Sequence, residues 1–484
     1  MKIIIISITI CLFSVLSLFA EPDWDKAKND FQKDAQSSDE FSRTSVTSKL
    51  INKITPQVEL DAADLLIKQI SNELSRAKGG KKEEAVSLKV IDVCVGGLGK
   101  MTQDKAVKMI LDNATKQSIE WRLRFYVIKS LGGINKPEVI KTLLDLINET
   151  KPTPIPVSAF RALSQLRCAE GLEPASKLLF SKTSWEVKLA IIEYFRILES
   201  PDAFKYLKEV LKHRDEIEPR VFSAALKLLQ QLSEKMPVEG TDPNQTKSVI
   251  MGEYYGVPIE SSNIVFLMDT SESMKTPVST PPEKPKDKTV ISGDDKTPSP
   301  VPEKLKRKKE MVDSRPVKTR LDAVKKELIN AIYNLDERVN FSIIFYSNEV
   351  RPWKTKVIPA NFENKILAIE AVDCQTPGGL TAIYDTLEYA YTITVESSEK
   401  PNSPYLSEDK GGVDTFFLLS DGYPTSGKIR DQGQIVEAIR KINEIRQIKI
   451  NVIAVGSQPL KAVDKYFMQK LAKTTGGTFV DKTN

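Results

Sequence analysis

Two hydrophobic rhythms divide the chain. From about residue 56 to 236 apolar residues recur at three- and four-residue spacing, as at Leu60, Ala63, Leu66, Ile67 and Ile70. That spacing predicts helices of several turns. Gly, Pro, Asn and Asp break the pattern, and the segments resemble one another. Trp121–Ile128 leads through Gly132-Gly133 to Pro137–Leu144, and Val157–Leu163 leads to Leu172–Ala175. Trp185–Ile192 leads to Pro201–Leu207, and Arg220–Leu226 opens a further unit. One helix pair cannot bury its apolar face alone, so a pair recurring about every 30–40 residues predicts an α-solenoid. Trp121 and Trp185 hold equivalent places and are expected in the core between repeats; a stacking platform for a ligand is the sharper alternative.

After about residue 249 the rhythm changes to short, largely apolar runs: Ile264–Met268, Phe341–Tyr346, Val413–Leu419 and Ile448–Val455. Such runs suit strands buried on both faces of a parallel sheet. Amphipathic stretches at Leu321–Ile332, Gln434–Ile445 and Val463–Lys473 alternate with them, Val350–Val357 reads as an edge strand and Thr478–Val480 as the last one. The predicted architecture is an all-α helical-repeat domain over 56–236 followed by an α/β, doubly wound, Rossmann-like domain over 249–484.

Residues 21–55 are polar, with few apolar positions, and read as a disordered or loosely ordered lead-in. The stretch 237–248 reads as a linker, and Glu253–Ile259 as a short edge strand limited by Pro258. Residues 275–318 are dense in Pro, Lys, Thr and Ser and read as a disordered basic insertion that leaves from the loop after Met268. It is either a tolerated surface insertion or a basic arm at the ligand rim.

The first residues form a secretory signal pattern: Lys2, the apolar run Ile3 to Leu16, then Ser17-Leu18-Phe19-Ala20 before Glu21. A signal peptide over 1–20 is expected, and with it export to the periplasm, the cell envelope or the medium. The run is short for a spanning helix, so membrane association is expected only if the signal stays uncut. Ile10 before Cys11 disfavours a lipoprotein signal. Cys94, Cys168 and Cys374 then remain, an odd number read as small core residues and not a disulfide framework. Seventy Lys and Arg against 65 Asp and Glu is too weak a surplus to argue for nucleic acid. A single histidine, His213, leaves no Ser-His-Asp or Cys-His arrangement and no His-based zinc site to assemble readily.

The candidate chemistry stands at strand ends. Ile264–Met268 runs into Asp269-Thr270-Ser271-Glu272-Ser273, and a second buried run ends in Ser420-Asp421-Gly422. Between them Pro377-Gly378-Gly379-Leu380-Thr381 is a turn that puts the Thr381 hydroxyl in a loop. Carboxylates and hydroxyls are hard oxygen donors that suit Mg²⁺. Asp269, Ser271, Ser273, Thr381 and Asp421 together resemble the metal-ion-dependent adhesion site of the von Willebrand factor A family, with all five positions filled in sequence order. The resemblance covers about 249–484. Many members carry glycine where this chain has Glu272, which adds a carboxylate beside the metal. The helical spacing, with Pro-Glu or Pro-Asp opening two second helices, resembles HEAT repeats.

What the first resemblance implies is a Mg²⁺ site (or Mn²⁺) in which Ser271, Ser273 and Thr381 ligate directly and Asp269 and Asp421 stand nearer the second shell. A protein ligand's Asp or Glu would complete the coordination. The expected function is a non-enzymatic, exported adaptor or adhesion-type protein, with the helical repeats as a second surface for a protein partner. The alternative is a Mg²⁺-dependent phosphoester hydrolase using the strand-end aspartates. No phosphate-cradling Gly loop or general acid accompanies the site to favour it.

Overall fold

The computed structural model describes residues 23–76, 87–149, 151–214, 216–235, 250–278, 301–395, 412–456 and 461–483. The expected signal peptide at 1–20 and the linker at 237–248 lie outside them. The described chain forms two compact units. One takes the chain up to Thr183 and Val187–Ala203; the other takes Ser184–Glu186 and everything from Phe204 onward.

The first unit is helical. Helix α1 (residues 23–34) and α2 (Glu40–Ile51) precede α3 (Glu59–Arg76), α4 (Leu88–Leu98), α5 (Asp104–Thr115), α6 (Trp121–Leu131), α7 (Pro137–Leu146) and α8 (Pro154–Gln165). Helices α2, α4, α6 and α8 stack in one row and α3, α5 and α7 in another, each pair α3/α4, α5/α6 and α7/α8 closing across the rows. This is the repeat geometry the spacing predicts. Gly99 and Gly133, one repeat apart, let two turns touch: a Cβ on Gly133 would lie 2.4 Å from the Gly99 carbonyl oxygen. Trp121 is buried, as expected for repeat core.

The lead-in differs from expectation. Residues 23–51 are not loose: Trp24, Phe31, Val46 and Leu50 are buried, and Arg43 pairs with Glu73 of α3 at 2.6 Å inside the unit. Few apolar residues sufficed because they fall on one face and a buried ion pair joins them.

The second unit holds the sheet. Its hairpin β1 (Glu253–Tyr254) and β2 (Val257–Pro258) turns at Tyr255 and Gly256, with φ of 51° and 81°. Both central residues of a two-residue hairpin turn of this hand need positive φ, which a glycine meets without strain. The main strands are β3 (Asn263–Asp269), β4 (Asn340–Tyr346), β5 (Val350–Pro352), β6 (Lys356–Pro359), β7 (Thr394–Val395), β8 (Thr415–Ser420), β9 (Lys449–Gly456) and β10 (Phe479–Thr483). They run in the order β10-β9-β8-β3-β4-β6-β7, with β5 beside β4. β3, β4, β8, β9 and β10 pair in parallel, while β5 and β6 run antiparallel to β4. Val265, Leu267, Phe416 and Leu418 pack on one face with Ile383, Leu387 and Ile439. Phe266 and Phe417 point to the other face, where Tyr254 meets Phe266 at 5.2 Å between ring centres.

Two expectations are corrected in this unit. Residues 301–318 of the basic insertion are ordered. Glu303–Asp313 is a helix with Leu305 and Val312 buried, and Lys309 lies over the Tyr333 ring at 5.4 Å. Two apolar residues seven apart were enough for one buried stripe; 279–300 lie outside the described residues. Cys374 is exposed, unlike the buried Cys94 and Cys168, because it caps the solvent end of the helix Phe362–Asp373.

The last predicted repeat helix, Pro219–Lys235, groups with the sheet. Arg220 donates from both terminal nitrogens to the carbonyls of Asp414 (2.7 Å) and Gln447 (2.6 Å), and its guanidinium lies 4.5 Å from the Trp185 ring.

Candidate metal centre

The centre strand β3 is buried on both faces and paired in parallel on both sides. Its register sets Asp269 opposite Tyr346 of β4 and Met268 opposite Leu419 of β8. Asp269 and the Ser420-Asp421 pair therefore leave the sheet at the same level of its carboxyl end, where open α/β sheets hold ligands.

Backbone hydrogen bonds then knit three loops together. Gly378 N–H donates to Thr270 O (2.8 Å) and Glu272 N–H to Gly379 O (2.9 Å), which ties the Thr381 loop to the Asp269 loop. Thr381 N–H donates to Thr425 Oγ1 (2.8 Å), and Thr381 O accepts from Thr425 N (2.9 Å) and Ser426 N (3.1 Å). That second set ties Thr381 to the loop after Asp421. Gly379 takes φ of +80°, and any Cβ there would lie 2.1 Å from Asn348 Oδ1, so the turn needs glycine.

Within this frame Asp269 is fully buried. Its carboxylate accepts from Ser271 N (2.8 Å) and from Ser420 Oγ (3.2 Å). Ser271 Oγ and Ser273 Oγ stand 3.0 Å apart. Thr381 is also buried, and the Asp421 side chain is 16% exposed. Burial and then the nearby Asp421 push the Asp269 carboxyl up to about 7, against the pull of the Ser271 and Ser420 hydrogen bonds. Two neighbouring carboxylates, one fully buried, beside paired serine hydroxyls form a hard-donor set with surplus negative charge, so these residues fit a small dication. Among the described residues no group of three or more His, Cys, Asp and Glu offers a competing site.

Glu272, the departure from the resemblance, is exposed and pairs with Lys275 at 2.6 Å. It stands at the rim, with its charge met by that lysine. Four contributors were not expected from the sequence. Ser420 holds Asp269, and Thr425 holds Thr381. The Tyr346 hydroxyl donates to Leu419 O (2.8 Å) across the buried face. Arg320 reaches Asp421 at 3.5 Å from the start of the helix Arg320–Tyr333. A strand-end Ser-Asp-Gly string could have pointed to Ser420; Arg320 is close only through the fold.

Residues 313–484 match the family model for the von Willebrand factor type A domain. A 124-residue stretch is 29% identical to the human inter-alpha-trypsin inhibitor heavy chain H4, covering 25% of this chain and 13% of that protein. The chain thus spans about an eighth of that relative. Among solved structures it is similar to a von Willebrand factor type A protein from Catenulispora acidiphila (16% identity, 46% of this chain, 39% of that one, TM-score 0.30). It is also similar to an aerotolerance-related membrane protein from Bacteroides fragilis NCTC 9343 (14% identity, 46% of this chain, 92% of that one, TM-score 0.29). No described helix is long and apolar enough to cross a membrane. Residues 313–484 thus carry a von Willebrand factor type A domain, preceded in sequence by helices that fit a repeat region.

Proposed function

We propose that this is a non-enzymatic interaction protein that binds a protein ligand through a divalent cation, with the helical repeats as a second protein-binding surface. The observation that carries the reading is the convergence of the Asp269, Thr381 and Asp421 loops around a buried carboxylate and paired serine hydroxyls. Ser271, Ser273 and Thr381 would hold Mg²⁺ directly, with Asp269 and Asp421 balancing its charge. When bound, the cation would supply a positive centre for a carboxylate, which an Asp or Glu of the partner would offer. We place the protein outside the cytoplasm, on the Lys2–Ala20 pattern of the sequence.

The test is isothermal titration of Mg²⁺ into the wild-type chain and into Asp269→Ala. Binding in the first and none in the second is expected; equal binding would overturn the site. Capture from an envelope fraction with and without EDTA should recover a partner only while the cation is present. Mg²⁺-dependent turnover of a phosphoester panel would instead favour the hydrolase reading.

A further inference from the structure

The cation site already has a positive charge built into it. Arg320 places a terminal guanidinium nitrogen 3.5 Å from Asp421 Oδ2, and the two side chains are only 15% and 16% exposed. Its backbone is fixed. Arg320 N–H donates to Thr276 O (3.0 Å), and Thr276 in turn donates from its N (3.2 Å) and Oγ1 (2.7 Å) to Ser273 O. Pro277 and Thr319 form a bridge, and Val278 N–H donates to Lys318 O (3.2 Å). The helix that begins at Arg320 is closed by a capping box between Thr319 and Asp322. The arginine is therefore aimed by the same short stem that anchors the Ser273 turn. Neighbouring cations are occupied elsewhere: Lys275 on Glu272, and Arg351 on the Thr270 hydroxyl at 3.0 Å.

We propose that Arg320 is a resident counter-charge that a dication must overcome at Asp421, so that it sets the concentration at which the site fills. This rests on the cation-centre reading above. A guanidinium cannot shed its proton at any working pH, so competition is relieved only by its moving away or by weaker binding. With a dication in place the two positive groups share one carboxylate and repel each other. Even at the dielectric of bulk water, a dication and a unit positive charge about 6 Å apart repel enough to cost about a tenfold loss of affinity, so tenfold is the least effect expected.

The experiment titrates Mg²⁺ into the full chain by calorimetry and follows melting with and without Mg²⁺, for wild type, Arg320→Gln, Arg320→Met and Arg320→Lys. Both neutral variants should bind Mg²⁺ at least about tenfold more tightly. They should melt lower than wild type without metal, yet gain more from its addition. Arg320→Lys keeps the charge and should stay close to wild type. A purely structural arginine would lower both melting temperatures and leave the Mg²⁺-induced rise unchanged. Unchanged or weaker affinity in whichever neutral variant folds overturns the proposal while leaving the cation centre standing. A wild-type chain that ignores Mg²⁺ overturns both.

Discussion

At the scale of single residues, burial decides what each charge costs. Asp269 is fully buried beside Asp421, so its negative charge is a liability until a cation arrives. Asp269→Asn keeps the shape and removes that charge. Without metal it should melt no lower than wild type, and the Mg²⁺-induced rise should disappear; a large drop in metal-free melting temperature would contradict this. Lys365 is the opposite case. It donates to the carbonyls of Leu335 (2.5 Å) and Tyr333 (3.2 Å), and burial pushes its ammonium down to about 8. An unfolded lysine titrates near 10.5. Between those values the unfolded chain holds a proton that the folded one has released, so this residue's contribution to stability rises with pH through the window. Between about pH 7.5 and about pH 10, wild type should gain on Lys365→Met in melting temperature; a constant difference would count against the burial argument.

At the scale of elements, backbone contacts set the tolerances. Gly133→Ala would press a methyl into the Gly99 carbonyl, a backbone atom that cannot swing away. It should cost about 1–3 kcal/mol by chemical denaturation. Thr319→Ala removes one half of a capping box and should cost about 1 kcal/mol. Strong periodicity made most elements legible in the sequence: the helix rows, β3, β4, β8 and β9 follow from it, while the grouping of Asp269, Thr381 and Asp421 came from the resemblance to a family motif. Short segments were not legible. The helix Glu303–Asp313 buries two apolar residues against a neighbour supplied by the fold, and composition alone averages that stripe away. The same holds for residues 23–51, where the Arg43–Glu73 pair depends on a contact 30 positions apart. Arg320 belongs to the site by three-dimensional neighbourhood, which no local pattern records.

At the scale of the whole molecule, the division between units falls inside the expected repeat region. Sequence similarity assigns Pro219–Lys235 to the helical array, but its Arg220 fork fastens it to the amino-terminal end of β8 and the turn before β9. Lys227 adds an ion pair with the buried Glu260 at 3.0 Å. Arg220→Met should destabilise this unit by about 2–4 kcal/mol, because two partly buried carbonyls lose charged donors. A fragment covering 184–484 should accordingly melt well above one covering 249–484, and equal melting would show the helix to be a passenger.

The hydroxyl donors have a further consequence for the sign of the potential at the rim. With both carboxyls ionised, Asp269, Asp421 and Arg320 together carry one net negative charge, and serine and threonine add none. A dication would turn that into one net positive charge. An acidic partner would then be turned away from the metal-free site and drawn to the metal-bound one, making the molecule a gauge of ambient divalent ions as much as a clasp.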